Sequence, residues 1–241
     1  MAEPREYVTK PVAIVVGGGS GIGAACVREL ASDHSVAVLS PSGRGRELAE
    51  SLGGVGIDGV NTDVDDLSAL VDLALSRFGR IDTVVNSSGH AARGPVLSIT
   101  DDEWLNGVDL YLLNVVRMAR LVTPHLLAGG GGTIVNISTA GALEPSSSFP
   151  VSVTMRAALA SFTKLYATEY GPHGIRMNNV LPGFTKEDIS AVPEAWTAGI
   201  PLRRAQTTAE LARVVRFLAT AESSYITGQN LRVDGGETRA L

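Results

Sequence analysis

The chain has 241 residues, 44% of them hydrophobic and only 5% aromatic, and a formal net charge of −5. That length allows one large or two small domains, and a balance rich in alanine, valine, leucine and glycine suits an α/β protein with a large core. The negative charge argues against nucleic acid or an anionic membrane as partner. The single Cys26 excludes an internal disulfide and a cysteine-rich metal site, and no apolar run approaches the roughly 20 residues that span a bilayer.

Met1 to Lys10 is polar and mixed in charge, with no signal-peptide pattern, so a cytoplasmic location is the expectation. Val12 to Val16 then reads as a buried parallel strand. It breaks into Gly17-Gly18-Gly19-Ser20-Gly21-Ile22-Gly23 and opens an amphipathic helix through Leu30. A strand, a glycine turn and a helix N-terminus form an anion site, because glycine lets backbone approach a phosphate and the free N–H groups favour its charge. Cys26 falls on the core side of this helix.

Ser35 to Leu39 reads as the second strand, followed by the turn Ser40-Pro41-Ser42-Gly43-Arg44 and a helix through Leu52. Val55 to Val60 is a weak third strand, thinned by Gly56 and Gly59. Asp65 or Asp66 is expected to cap the helix running to Phe78. Ile81 to Asn86 is the fourth strand. Thr100-Asp101-Asp102-Glu103 is a capping box that opens one long helix ending at the glycines from Gly129.

Thr133 to Ser138 is the fifth strand, and a serine-rich loop leads to a helix from about Ser152 to Glu169. Ile175 to Leu181 is the sixth strand. Pro182 to Gln206 carries three prolines and no clear period. Thr208 to Ala221 reads as a helix and Asn230 to Val233 as a short last strand. His34, His125 and His173 fall on helix ends or turns without metal-ligand spacing, so no metal site is expected.

Alternating strands and helices with no linker or repeat predict one α/β domain, a Rossmann-type doubly wound parallel sheet. Its cofactor half would run to about residue 140, with a substrate loop at about 184–206. Ligands of such sheets lie beyond the carboxyl ends of the strands. The loops there are Gly17–Gly23, Ser40–Arg44, Asp63–Val64, Asn86–His90, Thr139–Val151 and Leu181–Gln206.

Several of these loops resemble the short-chain dehydrogenase/reductase family over nearly the whole chain. Gly17-x-x-x-Gly21-x-Gly23 is similar to the family's glycine motif. Asn86-Ser87-Ser88-Gly89 resembles its Asn-Asn-Ala-Gly segment, and Ile134 to Ser138 looks like the strand leading to its catalytic serine. Asn178 to Thr185 and Tyr225 to Gly236 are similar to its nicotinamide-closing and C-terminal segments.

The resemblance implies that Gly17, Ser20, Gly21, Ile22 and Gly23 cradle a pyrophosphate and that Asp63 and Val64 border the adenine. It implies that Asn86 and Gly89 shape the cleft floor, and that Pro182, Gly183 and Thr185 border the nicotinamide. It also implies a homotetramer or homodimer formed through the two long helices and the C-terminal strand. For the cofactor, an acidic residue after the second strand would bind the ribose hydroxyl of NAD, and an arginine there suits the phosphate of NADP. Ser40 and Ser42 are hydrogen-bond donors and Arg44 pairs with phosphate in two-pronged geometry, so NADP(H) is favoured over NAD(H), although the glycine loop carries no basic residue.

The four catalytic positions depart from the family's pattern. Ungapped counting places its Tyr-x-x-x-Lys pair at Ser152 and Arg156, its serine at Thr139 and its asparagine at Tyr111, with Asn114 one turn on. A tyrosine has a reference pKa of about 10, whereas an alkyl hydroxyl is a much poorer acid. Arginine stays protonated and cannot relay a proton, yet remains a fixed positive charge for ribose hydroxyls or an oxyanion.

The sequence therefore predicts an NAD(P)(H)-dependent oxidoreductase that reduces a small-molecule carbonyl with a non-standard proton donor. Tyr111 and His90 are substitute donors to weigh against packing and loop-surface roles. The alternatives are a nucleotide-binding pseudoenzyme and a non-redox catalyst, an isomerase or cyclase, on the same fold.

Overall fold

In the computed structural model, which describes residues 10–239, seven strands pair in parallel. The polar N-terminal stretch, apart from Lys10, lies outside the described residues. In chain order the strands are β1 (Val12–Val16), β2 (Ser35–Ser40), β3 (Val55–Asp58), β4 (Thr83–Asn86), β5 (Gly132–Ile137), β6 (Ile175–Pro182) and β9 (Asn230–Val233). Their order across the sheet is β3-β2-β1-β4-β5-β6-β9. The order reverses between β1 and β4, which is where a doubly wound sheet opens its ligand crevice.

All five residues of β1 are buried, as a strand covered on both faces requires. Strand alternation divides the core in two. Val12, Ile14 and Val16 face one layer with α3 (Val64–Phe78), α5 (Asn114–Ala128) and α6 (Pro150–Tyr170). Ala13 and Val15 face the other with α1 (Gly21–Leu30) and α8 (Thr208–Ala219). Cys26 packs in this second layer, and burial pushes its thiol up to about 12, the behaviour of a core residue rather than a reactive one.

Several boundaries differ from the sequence expectation. Asp63, not Asp65 or Asp66, caps α3: its carboxylate accepts from the Asp65 amide at 2.8 Å. Asp66 instead accepts from the Val60 amide at 2.8 Å, a contact to the preceding loop that spacing alone does not show. The helix expected to run unbroken from Thr100 is divided. After α4 (Asp101–Val108), opened by the expected Thr100/Glu103 capping box, the chain widens into a π turn over Asp109–Leu113 before α5 begins. π turns are frequent at functional sites, and this one carries Tyr111. Finally, α6 starts two residues early because Pro150 occupies its first turn, where a missing N–H costs nothing.

The segment without a clear period forms a two-stranded clasp of β7 (Thr185–Lys186) and β8 (Gln206–Thr207) around a short helix α7 (Glu194–Thr197). Helix α8 opens on a second capping box, Thr207 with Glu210, and Arg204 grips the same carboxylate at 2.6 and 2.8 Å. The Arg204 guanidinium and the Thr207 amide hold the Glu210 carboxyl down to about 2, from an ordinary value of 4.5. Because the folded value is depressed, this carboxylate's stabilisation is complete above pH 4.5 and is lost as pH falls toward about 2. Thermal melts of Glu210→Gln should therefore lack part of the acid limb of the wild type; superimposable limbs would contradict this.

Candidate active site

The glycine turn is shaped by close approach. A Cβ on Gly23 would stand 2.0 Å from the Gly17 carbonyl oxygen, and one on Gly17 would stand 2.4 Å from that of Ser87. Gly17 has φ +76°, which disfavours other residues. These contacts press the start of α1 against the ends of β1 and β4. Gly21 and Gly89 face open space where a Cβ would stand. Ser20 caps α1 in extended geometry, its side chain makes no capping bond, and the first turn holds no acid. Beside Ile22 this leaves exposed amides and a helix dipole facing an open cradle, which fits a dinucleotide pyrophosphate.

In the turn after β2, Ser40 is buried and donates its hydroxyl to the Ser42 carbonyl at 2.6 Å. It packs where a Cβ on Gly19 or Gly45 would stand, so it shapes the turn. Arg44 is exposed at the start of α2 (Arg44–Ser51), its Nε 3.4 Å from the Ser42 hydroxyl. No carboxylate occurs from Ser40 to Arg44. Asp63 and Val64 line a groove with Val60, Thr62 and Arg117. Arg117 is anchored there by the Thr62 carbonyl at 2.9 Å and by Asp109 at 2.8 Å.

Under the crevice runs a ladder of amides, buried except at its half-buried Asn230 end. Asn86, Asn136, Asn179 and Asn230 stand in register on β4, β5, β6 and β9. Asn86 donates to Asn136 at 2.9 Å, Asn136 to Asn179 at 3.0 Å, and Asn179 to Asn230 at 2.8 Å. Thr163 of α6 donates to Asn179 at 2.9 Å. Every amide points the same way along the row, so the bonds polarise one another. The sequence reading singled out Asn86 alone; only the register reveals the row.

At the carboxyl end of β5, Thr139 accepts from the Gly141 amide at 3.3 Å. Ser152 lies half-buried in the first turn of α6. One turn on, Arg156 is buried at 7% exposure and donates to the Ile137 carbonyl and, at 3.4 Å, to the Ser88 hydroxyl. Its guanidinium lies 4.4 Å from the centre of the Tyr111 ring. Burial pushes the guanidinium below its ordinary value, partly offset by Tyr111. Tyr111 itself donates to the Gly89 carbonyl at 3.1 Å and accepts from the Ala91 amide at 2.8 Å.

The phenol therefore pins the loop after β4 and props the cation. Arg156 Nε, Ser138 Oγ and Asn114 Oδ1 are buried without a protein partner among the described residues. His90 is exposed on the loop. Across the crevice, Pro182 ends β6, and the Thr185 hydroxyl lies 3.1 Å from both the Gly183 carbonyl and Gln206. Trp196, 63% exposed, stands edge-on to Phe184.

A parallel sheet with a glycine cradle at its switch point is the frame of a dinucleotide-binding fold. Comparison with known proteins narrows it. A family model described as enoyl-(acyl carrier protein) reductase matches residues 16–238. A trans-4-hydroxycyclohexanecarboxylate dehydrogenase of Sinomonas cyclohexanicum is 33% identical over 251 aligned residues, 99% of this chain and 96% of that one. A 3-oxoacyl-(acyl-carrier-protein) reductase of Chlamydia muridarum is 32% identical over 96% of this chain and 99% of its own. The structure of a short-chain type dehydrogenase/reductase from Mycobacterium ulcerans superposes with a TM-score of 0.87 at 26% identity, covering 96% of this chain and 90% of that one.

The chain belongs to the short-chain dehydrogenase/reductase family, whose members are nicotinamide-dependent oxidoreductases. Among the described residues no helix is long and apolar enough to cross a membrane.

Proposed function

We propose that this protein is an NADP(H)-preferring reductase of a small-molecule carbonyl that works without a phenol at the proton-donor position. The observation that supports the reading is the bond from Arg156 to the Ile137 carbonyl, which brings its cation to the end of β5 ahead of Thr139 and one helical turn from Ser152, while the Tyr111 hydroxyl is bonded to backbone on both its donor and acceptor sides.

Gly17, Ser20, Gly21, Ile22 and Gly23 hold the pyrophosphate, and Ser42 and Arg44 hold the 2′-phosphate, with Ser40 bracing their turn. Asp63 and Val64 border the adenine, Asn86 and Gly89 form the floor, and Pro182, Gly183 and Thr185 border the nicotinamide. The bound dinucleotide supplies a hydride. Thr139 hydrogen-bonds the substrate oxygen, Arg156 stabilises the negative charge that develops there, and the Ser152 hydroxyl passes in a proton drawn from solvent. Reduction is the favoured direction, because oxidation needs a base and an arginine does not act as one.

Calorimetry and a nicotinamide absorbance assay over a panel of aldehydes and ketones test this. NADPH should bind at micromolar concentrations and NADH more weakly, with slow consumption of NADPH when a carbonyl is added. Arg44→Ala should narrow the preference by about tenfold, as expected on losing one charge-assisted hydrogen bond. An unchanged ratio would remove Arg44 from the phosphate site, and no binding of either nucleotide would overturn the whole reading.

One observation favours a second reading. Arg156 is committed to the Ile137 carbonyl and the Tyr111 ring, an arrangement suited to a protein that binds the nucleotide and turns nothing over. NADPH binding with no hydride transfer to any carbonyl would decide for it. We also propose self-association through α5 and α6, supported by Leu127 and Leu165, exposed by 42% and 69% on those helices; sedimentation would read a dimer or tetramer.

A further inference from the structure

Most arginines near carboxylates in this fold are paired with them. Arg46, Arg80, Arg117, Arg204 and Arg216 each meet an Asp or Glu within 4 Å. Arg93 is different. It sits exposed on the loop after β4, and its one described side-chain contact is the face of Phe149, 4.5 Å from guanidinium to ring centre. Nothing acidic stands nearby in sequence: the chain from Ser87 to Thr100 holds no Asp or Glu. The facing loop from Thr139 to Phe149 holds only Glu144, whose carboxylate accepts from the Arg239 amide at 2.6 Å.

Both partners are tied to the reaction corner. Phe149 caps α6, and its carbonyl accepts from the Val153 amide at 3.0 Å, closing the turn that contains Ser152. Phe149 thus lies one helical turn, about 5 Å, before Ser152. On the other side, the Ala91 amide, two residues before Arg93, is bonded to Tyr111, whose ring carries Arg156. The Arg93 charge is held over an apolar ring where the loop after β4 meets the loop that leads from Thr139 into α6. A planar guanidinium fixed this way presents its remaining N–H groups in the fork geometry that matches a carboxylate.

We propose that Arg93 on Phe149 is a specificity subsite for a carboxylate carried by the substrate at the end remote from the reacting carbonyl. The preferred substrates are oxo acids whose carboxylate stands apart from the reacting carbonyl. Arg93, steadied by Phe149, receives the anion. This rests on the carbonyl reductase reading and names the substrate class for it.

The test compares 4-carboxybenzaldehyde with 4-carbamoylbenzaldehyde, equal in shape and different in charge. With NADPH the wild type should favour the acid in kcat/KM, chiefly through KM. Arg93→Ala should collapse that preference by about 10- to 100-fold, the range of a charge-assisted bidentate contact, and Arg93→Lys should restore part of it. A preference absent in the wild type, or retained in Arg93→Ala, overturns the subsite. Benzoate binding to the NADPH-saturated protein, read by calorimetry against benzamide, gives a second readout that needs no turnover. If neither aldehyde is reduced, the reductase reading fails. Benzoate binding lost in Arg93→Ala then still supports the subsite, and benzoate binding that is absent or indifferent to Arg93 overturns it.

Discussion

Ser152→Tyr combined with Arg156→Lys is expected to raise kcat for carbonyl reduction by about 10²–10⁴-fold, the usual worth of a positioned general acid. The two positions lie one turn apart on α6, and Arg156 bonds the Ile137 carbonyl at the end of β5, so a phenol and an ammonium placed there share one helix face. The ammonium favours the ionised phenol and lowers its pKa from about 10 toward the working range. The serine hydroxyl has no such range, and the arginine has no accessible neutral form. The Tyr111 ring packs on the present guanidinium, so adding Tyr111→Asn clears room for the new phenol and is the fuller form of the experiment. The rebuilt enzyme should slow as pH rises through the phenol's pKa, because the acid must be protonated to donate. Unchanged kcat with intact NADPH binding would mean that proton delivery does not limit this site.

Asn136→Ala should cost about 2–4 kcal/mol, which for a chain of this size lowers Tm by roughly 5–15 °C. The residue is fully buried at the middle of the amide ladder. Its loss leaves the Asn86 amide without its acceptor and opens a cavity beneath the crevice, and an orphaned buried donor costs its full desolvation. Asn230→Ala, at the half-buried end of the row, deprives only the Asn179 amide of its partner and should cost less. Equal losses at the two positions would show that the row does not act as a polarised unit.

Much of the fold is legible in the sequence because its signals are local. The apolar run at Val12–Val16 could only be a strand covered on both faces. The capping box at Thr100 opens α4 where expected, and the glycine turn joins β1 to α1 as its spacing implies. Features decided by contacts across the chain escaped. The π turn that carries Tyr111 is accompanied by a near-contact that local pattern does not reveal: a Cβ on Gly107 would stand 2.1 Å from Val151. The true cap of α3 depends on the loop that engages Asp66. Ser40 was read as a donor toward phosphate, yet its hydroxyl is turned to the Ser42 carbonyl by a packing contact with Gly19 and Gly45.

For the proposed reactive corner the sequence offers positions and no contacts. Ungapped counting assigns Thr139, Ser152, Arg156 and Tyr111 to it, and of these the structure packs Arg156 against Tyr111. It does not reveal that Tyr111 holds the Gly89–Ala91 loop, because those bonds join residues about twenty apart in sequence. It also passes over Arg93, whose partner Phe149 comes from a different loop.

The central claim is that protons reach this site without a phenol. The most direct measurement is the single-turnover rate of NADPH oxidation by a small oxo acid, followed against pH in the wild type and in Tyr111→Phe. A rate with no phenol-like limb, within a few-fold in the two proteins, is the predicted result. A limb that titrates like a phenol in the wild type and vanishes with the Tyr111 hydroxyl would make Tyr111 the donor and contradict the account.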